Sequence, residues 1–148
     1  MKTWIKVLLV LIVLSIIGAA LIYKFVYNKQ HPDYENIEAS FTMSAKDLYQ
    51  EFKKNPYTSA KLYNGKIIAI TGILSKVETA DSLVTAVFVF KQGDFGDEGL
   101  RCTMMKKYNK EAIKLQPDGE VRIKGYCTGF NDTDVVLEKC SLIINNEN

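Results

Sequence analysis

The stretch from Leu62 to Val77 limits the folds open to this chain more than any other. It begins with a turn at 63–66 and continues as an apolar run, rich in β-branched residues, that contains Gly72. An interior glycine and many β-branched side chains disfavour a helix, whereas in a strand a glycine marks a bulge or a sharp bend. A bent strand that joins two layers of sheet is how a small barrel turns its corner. The sequence therefore predicts strand 1 of a small closed β-barrel.

Four further strands follow from runs of β-prone residues separated by turns. Strands 2 to 5 are predicted at Leu83–Phe90, Leu100–Met105, Glu120–Thr128 and Asp134–Ile144. A helix at Tyr108–Leu115, stopped by the proline and glycine of 117–119, lies between strands 3 and 4. A helix in that position of a five-stranded barrel is the layout of the OB-fold. The predicted fold is therefore mainly β, a five-stranded OB-fold barrel.

A short helix precedes strand 1. Ser44 is placed to cap its N-terminus, with Asp47 three residues later. The residues expected on its buried face follow the helical spacing i, i+3, i+4, i+7, namely Ala45, Leu48, Tyr49 and Phe52. Asn55-Pro56 should end it. We expect this helix to pack across one end of the barrel.

Strand 5 changes the phase of its apolar alternation. Val135 and Leu137 share one face, but the later apolar residues, Cys140, Leu142 and Ile144, come one step late. A bulge near Glu138-Lys139 would bring both sets to the interior. That register would also make Cys140 face the same interior as Cys127 of strand 4.

The N-terminus is long, apolar and uncharged from Val7 to Tyr23, close to the roughly 20 residues that a membrane helix needs. Aromatic residues and lysines flank the run, as at membrane interfaces. A cleaved secretory signal is the alternative, with a weak cleavage site at Gly18-Ala19-Ala20. Apolar residues continue past that site, which favours an uncleaved anchor. Residues 1–27 are therefore predicted as a single-pass transmembrane anchor or uncleaved signal.

The remaining domain boundaries follow from this assignment. Residues 28–43 are predicted as a linker, and residues 44–148 as the OB-fold domain. The linker holds His31, the only histidine, which we expect to be solvated rather than a pH switch. Lysines on the two sides of the apolar run are balanced, so the positive-inside rule gives little direction. With so short a segment before the helix, we expect the domain to lie outside the cytoplasm.

The charge distribution argues against nucleic acid as the ligand. The first 31 residues hold four of the 19 basic side chains and none of the 17 acidic ones, which leaves 15 basic against 17 acidic side chains in the rest. A domain that neutralises phosphates normally shows a basic excess. We therefore expect poor binding of single-stranded nucleic acid.

At this point the chain resembles the tRNA-anti-like OB-fold proteins, which are small, often membrane-anchored or exported bacterial domains of largely unassigned function. The resemblance covers about Ser44 to Ile144. It rests on Leu48, Phe52, Asn55, Ala60, Tyr63-Asn64-Gly65-Lys66, Thr71-Gly72, Cys102, Gly119, Val121, Gly125-Tyr126-Cys127, Val135-Val136-Leu137 and Cys140. It implies the OB-fold but no shown tRNA activity, because the family name records a similarity of fold to anticodon-binding domains.

No catalytic or metal site is predicted. A nucleophile needs a base within reach, and the histidine lies in the predicted linker. Zinc needs three or four ligands, but the three cysteines lie on apolar faces and the predicted domain has no histidine. No glycine-rich phosphate loop joins a strand to a helix. We therefore expect no enzyme, no cofactor and no metal.

The cysteines have two interpretations, which the sequence leaves open. Cys102, Cys127 and Cys140 could be small core side chains. Outside the cytoplasm, Cys127 and Cys140 could instead form a disulfide.

Two classes of function are consistent with these features. In the first, the barrel face of strands 2 and 3 binds a protein or envelope component, with outward candidates Phe88, Phe90, Arg101, Met105 and, on strand 4, Tyr126. Strand 2 is apolar on both faces, so two alternatives are equally open. Phe88 and Phe90 could lie in the core with Val87 and Val89 outside, or the aromatic side chains could pack under the short helix that precedes strand 1. In the second, the chain is a structural subunit that assembles through its transmembrane helix. Oligonucleotide binding is a third alternative if the domain is cytoplasmic.

Overall fold

The structure, a computed structural model, describes residues 2–24 and 33–144. It divides into two units, Met1–Pro32 and Asp33–Asn148. The first contains helix α1, Lys2–Ile22, which is long and apolar enough to cross a membrane. A signal sequence near an N-terminus has the same properties. The linker histidine predicted as solvated lies outside the described residues.

Within residues 33–144, the second unit is mainly β, as predicted. Its strands are β1 Phe41–Ser44, β2 Ile67–Ile73, β3 Lys76–Ala80, β4 Leu83–Gly93, β5 Gly96–Met104, β6 Glu120–Phe130 and β7 Asp134–Leu142. Its helices are α2 Ala45–Lys54, α3 Pro56–Tyr63 and α4 Asn109–Ala112, the last preceded by a 3₁₀ turn at Lys106–Tyr108. The helix between predicted strands 3 and 4 is thus present but shorter than expected.

The strands form one seven-stranded sheet in the order β1-β2-β6-β7-β5-β4-β3. The sheet as paired is open, with β1 and β3 at its edges. Predicted strand 1 is divided into β2 and β3, which only two residues separate. Those residues bond to different strands, since Leu74 N–H donates to Gly119 O at 2.9 Å and Ser75 N–H donates to Val87 O at 2.9 Å. One half of predicted strand 1 therefore pairs with β6 and the other half with β4.

Gly72 does not mark the bend, which comes two residues later. It pairs in regular register with Val121 of β6. A Cβ at Gly72 would lie 2.9 Å from the Ala45 Cβ and 3.2 Å from the Phe88 ring. Gly72 is therefore needed for the close packing of α2 and β4 against β2, and the expected bulge at this position was wrong.

Helix α2 begins and packs as its sequence predicts. The Ser44 hydroxyl accepts a hydrogen bond from the Asp47 N–H at 3.0 Å, which satisfies one free donor of the first turn. Asn55 follows α2 and caps α3, accepting from the Thr58 N–H at 3.1 Å. The predicted inner face of α2 is buried in the core, namely Ala45, Leu48, Tyr49 and Phe52. The two short helices thus close one side of the core.

The bulge predicted in strand 5 is present in β7. Tyr126 pairs with Glu138, but two residues earlier on β6 Lys124 pairs with Ser141, so β7 holds one extra residue. Lys139 takes the positive φ, 52°. The bulge turns Cys140 to the core together with Val135 and Leu137, all three fully buried, and Leu142 packs against them. Ile144, which was also expected to face inward, lies beyond the end of β7 and is 65% exposed.

The segment before α2 contacts the sheet directly. The Lys124 ammonium group donates to the carbonyl oxygens of Glu35 and Ile37, at 2.6 and 2.9 Å. Strand β1 then pairs in parallel with β2 over four residues. Within the predicted linker 28–43, the part from residue 33 onward is thus held by backbone and side-chain contacts.

Candidate binding face

Strands β4 and β5 form a hairpin with a two-residue tip, Asp94-Phe95, between the paired Gly93 and Gly96. The Phe95 side chain is fully exposed. Such tips favour Asn, Asp and Gly, and an exposed phenylalanine gains nothing from burial in the folded chain. The candidate residues drawn from the sequence do not include Phe95. The sequence feature that could have identified Phe95 is an aromatic residue between two closely spaced glycines, Gly93 and Gly96.

An open groove of about 460 Å³ lies along the same hairpin. Two ammonium groups, a carboxylate and an amide line it together with apolar surface. The lining residues are Ser75, Lys76, Val89, Phe90, Lys91, Gln92 and Asp97. This mixture suits a ligand with both polar and apolar groups.

The hairpin next to the groove is shaped by a bulge at Phe90, which has no partner on β5. The Phe90 ring packs on Tyr49 of α2, with ring centroids 5.4 Å apart. On β5, Gly99 passes so close to β4 that a Cβ would lie 1.8 Å from the Phe88 carbonyl oxygen. Only glycine fits there, so Gly99 permits the close strand approach at the bulge.

The outer face of β3, β4 and β5 carries a continuous chain of ion pairs. Arg101 Nε donates to Asp134 at 3.1 Å, and Arg101 Nη1 donates to Glu78 at 2.6 Å. The Lys76 ammonium group forms ion pairs with two carboxylates, Glu78 at 3.1 Å and Asp97 at 3.2 Å. Hydrogen bonds from Arg101 and Lys76 lower the pKa of Glu78, which keeps it ionised. In this series of ion pairs, from Asp134 to Asp97, three carboxylates face two cations, so both cations are neutralised.

A second charged cluster connects the hairpin to α2. Glu98 accepts hydrogen bonds from Lys53 at 2.7 Å and from the Tyr49 hydroxyl at 2.9 Å. These two hydrogen bonds lower the pKa of Glu98 to about 2, and the bond from Lys53 has the larger effect. Burial and then the Glu98 hydrogen bond raise the pKa of Tyr49 to about 12. Both groups therefore keep one protonation state near neutral pH, which suits a structural contact rather than acid–base catalysis.

The five residues predicted to contact a ligand do not form one surface. Phe88 has no exposed surface and belongs to the core cluster, so the prediction that it faces outward was wrong. Phe90 is partly buried and borders the groove. Arg101 lies on the outer face of β5, Met105 follows the end of β5 half-buried, and Tyr126 lies on β6 with β7 in between. The structure thus brings Arg101 and Phe90 to the candidate face but not Met105 or Tyr126.

All three cysteines are buried, free thiols. Cys127 and Cys140 both face the interior, as the bulged register requires. Burial raises the pKa of Cys127 to about 11 and, together with a hydrogen bond to Cys102, raises that of Cys140 well above its ordinary value. Neutral buried thiols are poor nucleophiles. The Cys127–Cys140 disulfide stays a prediction.

Within residues 2–24 and 33–144, no three His, Cys, Asp or Glu side chains are grouped so that they could hold a metal ion.

Comparison with solved structures shows the fold. A candidate nucleic acid-binding lipoprotein from Klebsiella pneumoniae superposes with a TM-score of 0.53 at 18% identity, over 70% of this chain and 91% of that chain. Two other likenesses are weaker. The Stn1–Ten1 complex of S. pombe superposes with a TM-score of 0.37 at 14% identity, over 53% of this chain and 59% of that chain. The aspartyl tRNA synthetase of Entamoeba histolytica superposes with a TM-score of 0.43 at 11% identity, over 77% of this chain and 23% of that chain. At these identities a likeness carries no function.

No curated protein matches the chain. The sequence pattern of the tRNA_anti-like family matches residues 1–142. This span includes both the apolar N-terminal helix and the whole sheet, which confirms the resemblance drawn from the motifs. The chain therefore belongs to the tRNA_anti-like family.

Proposed function

We propose that this protein is a membrane-anchored OB-fold module that binds a protein or another envelope component through the face of β4 and β5. The observation that carries the proposal is the groove of about 460 Å³ beside a hairpin tip whose Phe95 is fully exposed. OB-folds bind their ligands on the equivalent strands 2 and 3. A groove with polar lining and an exposed aromatic anchor matches the composition of protein interfaces.

The OB-fold assignment rests on treating β2 and β3 as two halves of one bent strand. The first half pairs with β6 and the second with β4. Counted in this way, the sheet without β1 has the circular order 1-2-3-5-4-1 of a five-stranded barrel. The parallel pairing of β5 with β7 supplies the link between strands 3 and 5. The bend between β2 and β3 would then be the barrel corner.

Residues 1–27 should hold the protein in a membrane with the domain outside the cytoplasm. Carbonate washing of membranes should leave the full-length protein in the pellet, because α1 is as long as a membrane-spanning helix. Release into the soluble fraction would contradict the anchor. A reporter fused after Asn148, active in only one compartment, should report the outer side of the membrane.

Catalysis is not part of the proposal. The charged groups at the face are held in ion pairs, and the three cysteines are buried. Neither set offers a nucleophile beside a base.

Nucleic acid is the second candidate, because the Klebsiella pneumoniae protein of similar fold is named for that activity. Against it, the two central cations of the face, Lys76 and Arg101, are both paired with carboxylates. We therefore expect no sub-micromolar binding of single-stranded DNA or RNA by the full-length protein in detergent at physiological salt. Tight binding with a steep salt dependence would favour nucleic acid as the ligand.

Site-specific cross-linking tests the proposed face. A photoreactive amino acid at Gln92, which is exposed and lines the groove, should give a discrete product in the native membrane. The same group at Tyr57, an exposed aromatic on α3, is the matched control and should give none. Phe95→Ser should remove the product without lowering the melting temperature, since Phe95 makes no buried contact. Equal products at the two positions, or no effect of Phe95→Ser, would contradict the assignment.

A further inference from the structure

The segment between β5 and β6 has an exposed face that the proposed binding site does not use. Lys106 lies in the 3₁₀ turn, Lys110 in α4, and Ile113 and Lys114 in the turn that follows α4, at the spacing i, i+4, i+7, i+8. All four are exposed, and Ile113 has 56% of its surface in solvent. We call these four residues the basic face. The basic face thus combines one exposed apolar side chain with three exposed ammonium groups.

The opposite side of the same segment is fixed to the domain. Ala112 is fully buried in the core. The Tyr108 hydroxyl binds the Glu35 carboxylate, and the Asn109 amide donates to the Ser82 carbonyl at 3.0 Å. Because these contacts hold the segment, the basic face is presented in a defined orientation rather than on a loose loop.

The lysines of the basic face differ from the neighbouring Lys107 in their charge pairing. Among residues 33–144, none of Lys106, Lys110 and Lys114 forms an ion pair, whereas the neighbouring Lys107 is paired with Glu35. The only acidic residue between Lys106 and Lys114 is Glu111. The basic face therefore keeps a net positive charge, whereas the cations Lys76 and Arg101 at the face of β4 and β5 are paired with carboxylates.

We propose that the basic face docks on the surface of an anionic bilayer, with the lysines against lipid headgroups and Ile113 in the interfacial layer. Lysine clusters bind anionic lipid surfaces, and each lysine strengthens the binding roughly fivefold. An apolar side chain between the cations adds burial at the headgroup boundary. The inference rests on the proposed function in one respect, since α1 as a membrane anchor would hold the domain close to a bilayer.

The same observations favour a bilayer over a nucleic acid. Single strands are bound by planar rings that stack on bases, next to the cations. The one aromatic ring of this segment, Tyr108, is occupied by Glu35 through its hydroxyl and lies under Lys107, 5.3 Å from the ring centroid. An exposed isoleucine offers no stacking surface.

A fluorescent probe at Ile113 tests the proposal in the full-length protein. Because the three native cysteines have no exposed surface, an Ile113→Cys variant should accept an environment-sensitive maleimide dye at that site alone. Tyr57→Cys, at another exposed apolar position on α3, is the matched control. Each labelled protein is reconstituted in vesicles of neutral phosphatidylcholine, with and without about a third of anionic phosphatidylglycerol, a charge density at which such surfaces attract lysines.

The dye at position 113 should shift to shorter wavelength and be quenched by a lipid-borne quencher in the anionic vesicles. The shift should vanish in neutral vesicles and at high salt, because screening removes the lysine term. The dye at position 57 should stay in water in both compositions. A dye at position 113 that is as water-exposed as the one at 57 would overturn the proposal, and this comparison needs no lysine variant.

Charge variants identify the residues responsible. Lys106→Gln, Lys110→Gln and Lys114→Gln together should lower the docking equilibrium by about 100-fold, from roughly fivefold for each lysine. Gln at three other exposed lysines, Lys46, Lys54 and Lys66, changes the net charge equally and should leave docking intact. Equal losses in the two triple variants would overturn the assignment to the basic face.

Two further outcomes separate the proposal from its premise. If full-length protein is stripped from the vesicles by carbonate, the anchor and the docking proposal both fail. If it stays bound but the probe at Ile113 remains in water, only the docking proposal fails. Displacement of the probe from anionic vesicles by low-micromolar single-stranded oligonucleotide would overturn the bilayer in favour of nucleic acid at the same lysines.

Discussion

Gly125 of β6 offers a direct test of the register that the β7 bulge creates. It lies opposite the bulge, where a Cβ would be 2.4 Å from Cys140 Sγ and 3.2 Å from Leu137 Cβ. Contacts below 3.0 Å essentially never occur for a real Cβ, and Cys140 is fully buried. Gly125→Ala must therefore displace a side chain that has no free space around it.

The expected size of the effect follows from two opposing terms. Inserting a methyl group into a packed core destabilises by about 1–3 kcal/mol. Replacing glycine by alanine returns about 0.4–1 kcal/mol, because the unfolded chain loses conformational freedom. Gly125 needs no positive φ, so backbone strain adds nothing. The net loss should be about 1–2 kcal/mol, which lowers the melting temperature by about 5–10 °C in a domain of this size.

A double-mutant cycle distinguishes this clash from a general loss of stability. Cys140→Ala removes the Sγ atom in contact, so Gly125→Ala should cost about 1 kcal/mol less in that background. Cys127→Ala removes a buried thiol that is not among the three atoms nearest to the added methyl group, and its effect should be additive. Thermal melts of full-length protein in detergent, followed by circular dichroism, measure all the variants. Additive effects with Cys140→Ala would refute the register of β6 and β7.

Other predictions follow from the charged clusters and the thiols. Asp134→Asn should lower the free energy of unfolding by about 2 kcal/mol in urea titrations, because it removes the charge of a carboxylate that accepts a hydrogen bond from Arg101. The Asp134 side chain is only 10% exposed. An unchanged urea midpoint would show that this ion pair contributes nothing to stability. The folded-state pKa of Glu98 is about 2, below its ordinary 4.5, so its bond to Lys53 stabilises the protein above pH 4.5 and this contribution is lost as the pH falls towards 2. Glu98→Gln should flatten the pH dependence of the melting temperature between those values, and a parallel curve would contradict the pairing. The three cysteines should resist iodoacetamide in the folded protein and react in denaturant, because they are fully buried and the pKa of Cys127 is about 11; rapid alkylation of native protein would show that the core opens.

Local patterns predicted the parts of the fold that local physics decides. The cap at Ser44 and the apolar face of α2 follow from residues three or four positions apart. The bulge at Lys139 follows from a phase change within one strand. Each of these features depends on neighbours in the chain, so the sequence alone is enough to indicate it.

The facing of β4 could not be predicted because its outer face is also covered. Val87 is only 1% exposed, although it is not part of the core cluster that contains its neighbours Ala86 and Phe88. It lies between its strand partners Lys76 and Arg101, whose ion pairs with carboxylates hold long side chains beside it. The sequence of β4 is therefore apolar on both faces, and its alternation does not indicate which face packs on the core.

Other features depend on partners distant in sequence. Strand β1 is four residues long and exists through its parallel pairing with β2, which no local pattern encodes. The role of Gly72 depends on the Ala45 and Phe88 side chains that approach it. Phe95 was visible in the sequence, but its exposure became evident only when the turn proved to be two residues long.

The position of β2 in the sheet has a consequence for the order in which a nascent chain folds. Strand β2 lies between β1 and β6, and β6 begins only at Glu120. During synthesis the apolar strand Ile67–Ile73 is therefore complete long before its main partner leaves the ribosome. An unpaired apolar strand is prone to aggregate and to bind chaperones. Helix α2 is synthesised before β2 and can cover the apolar side chains of β2 until β6 is complete. Pairing of β6 with β2 then ends the exposure of this strand.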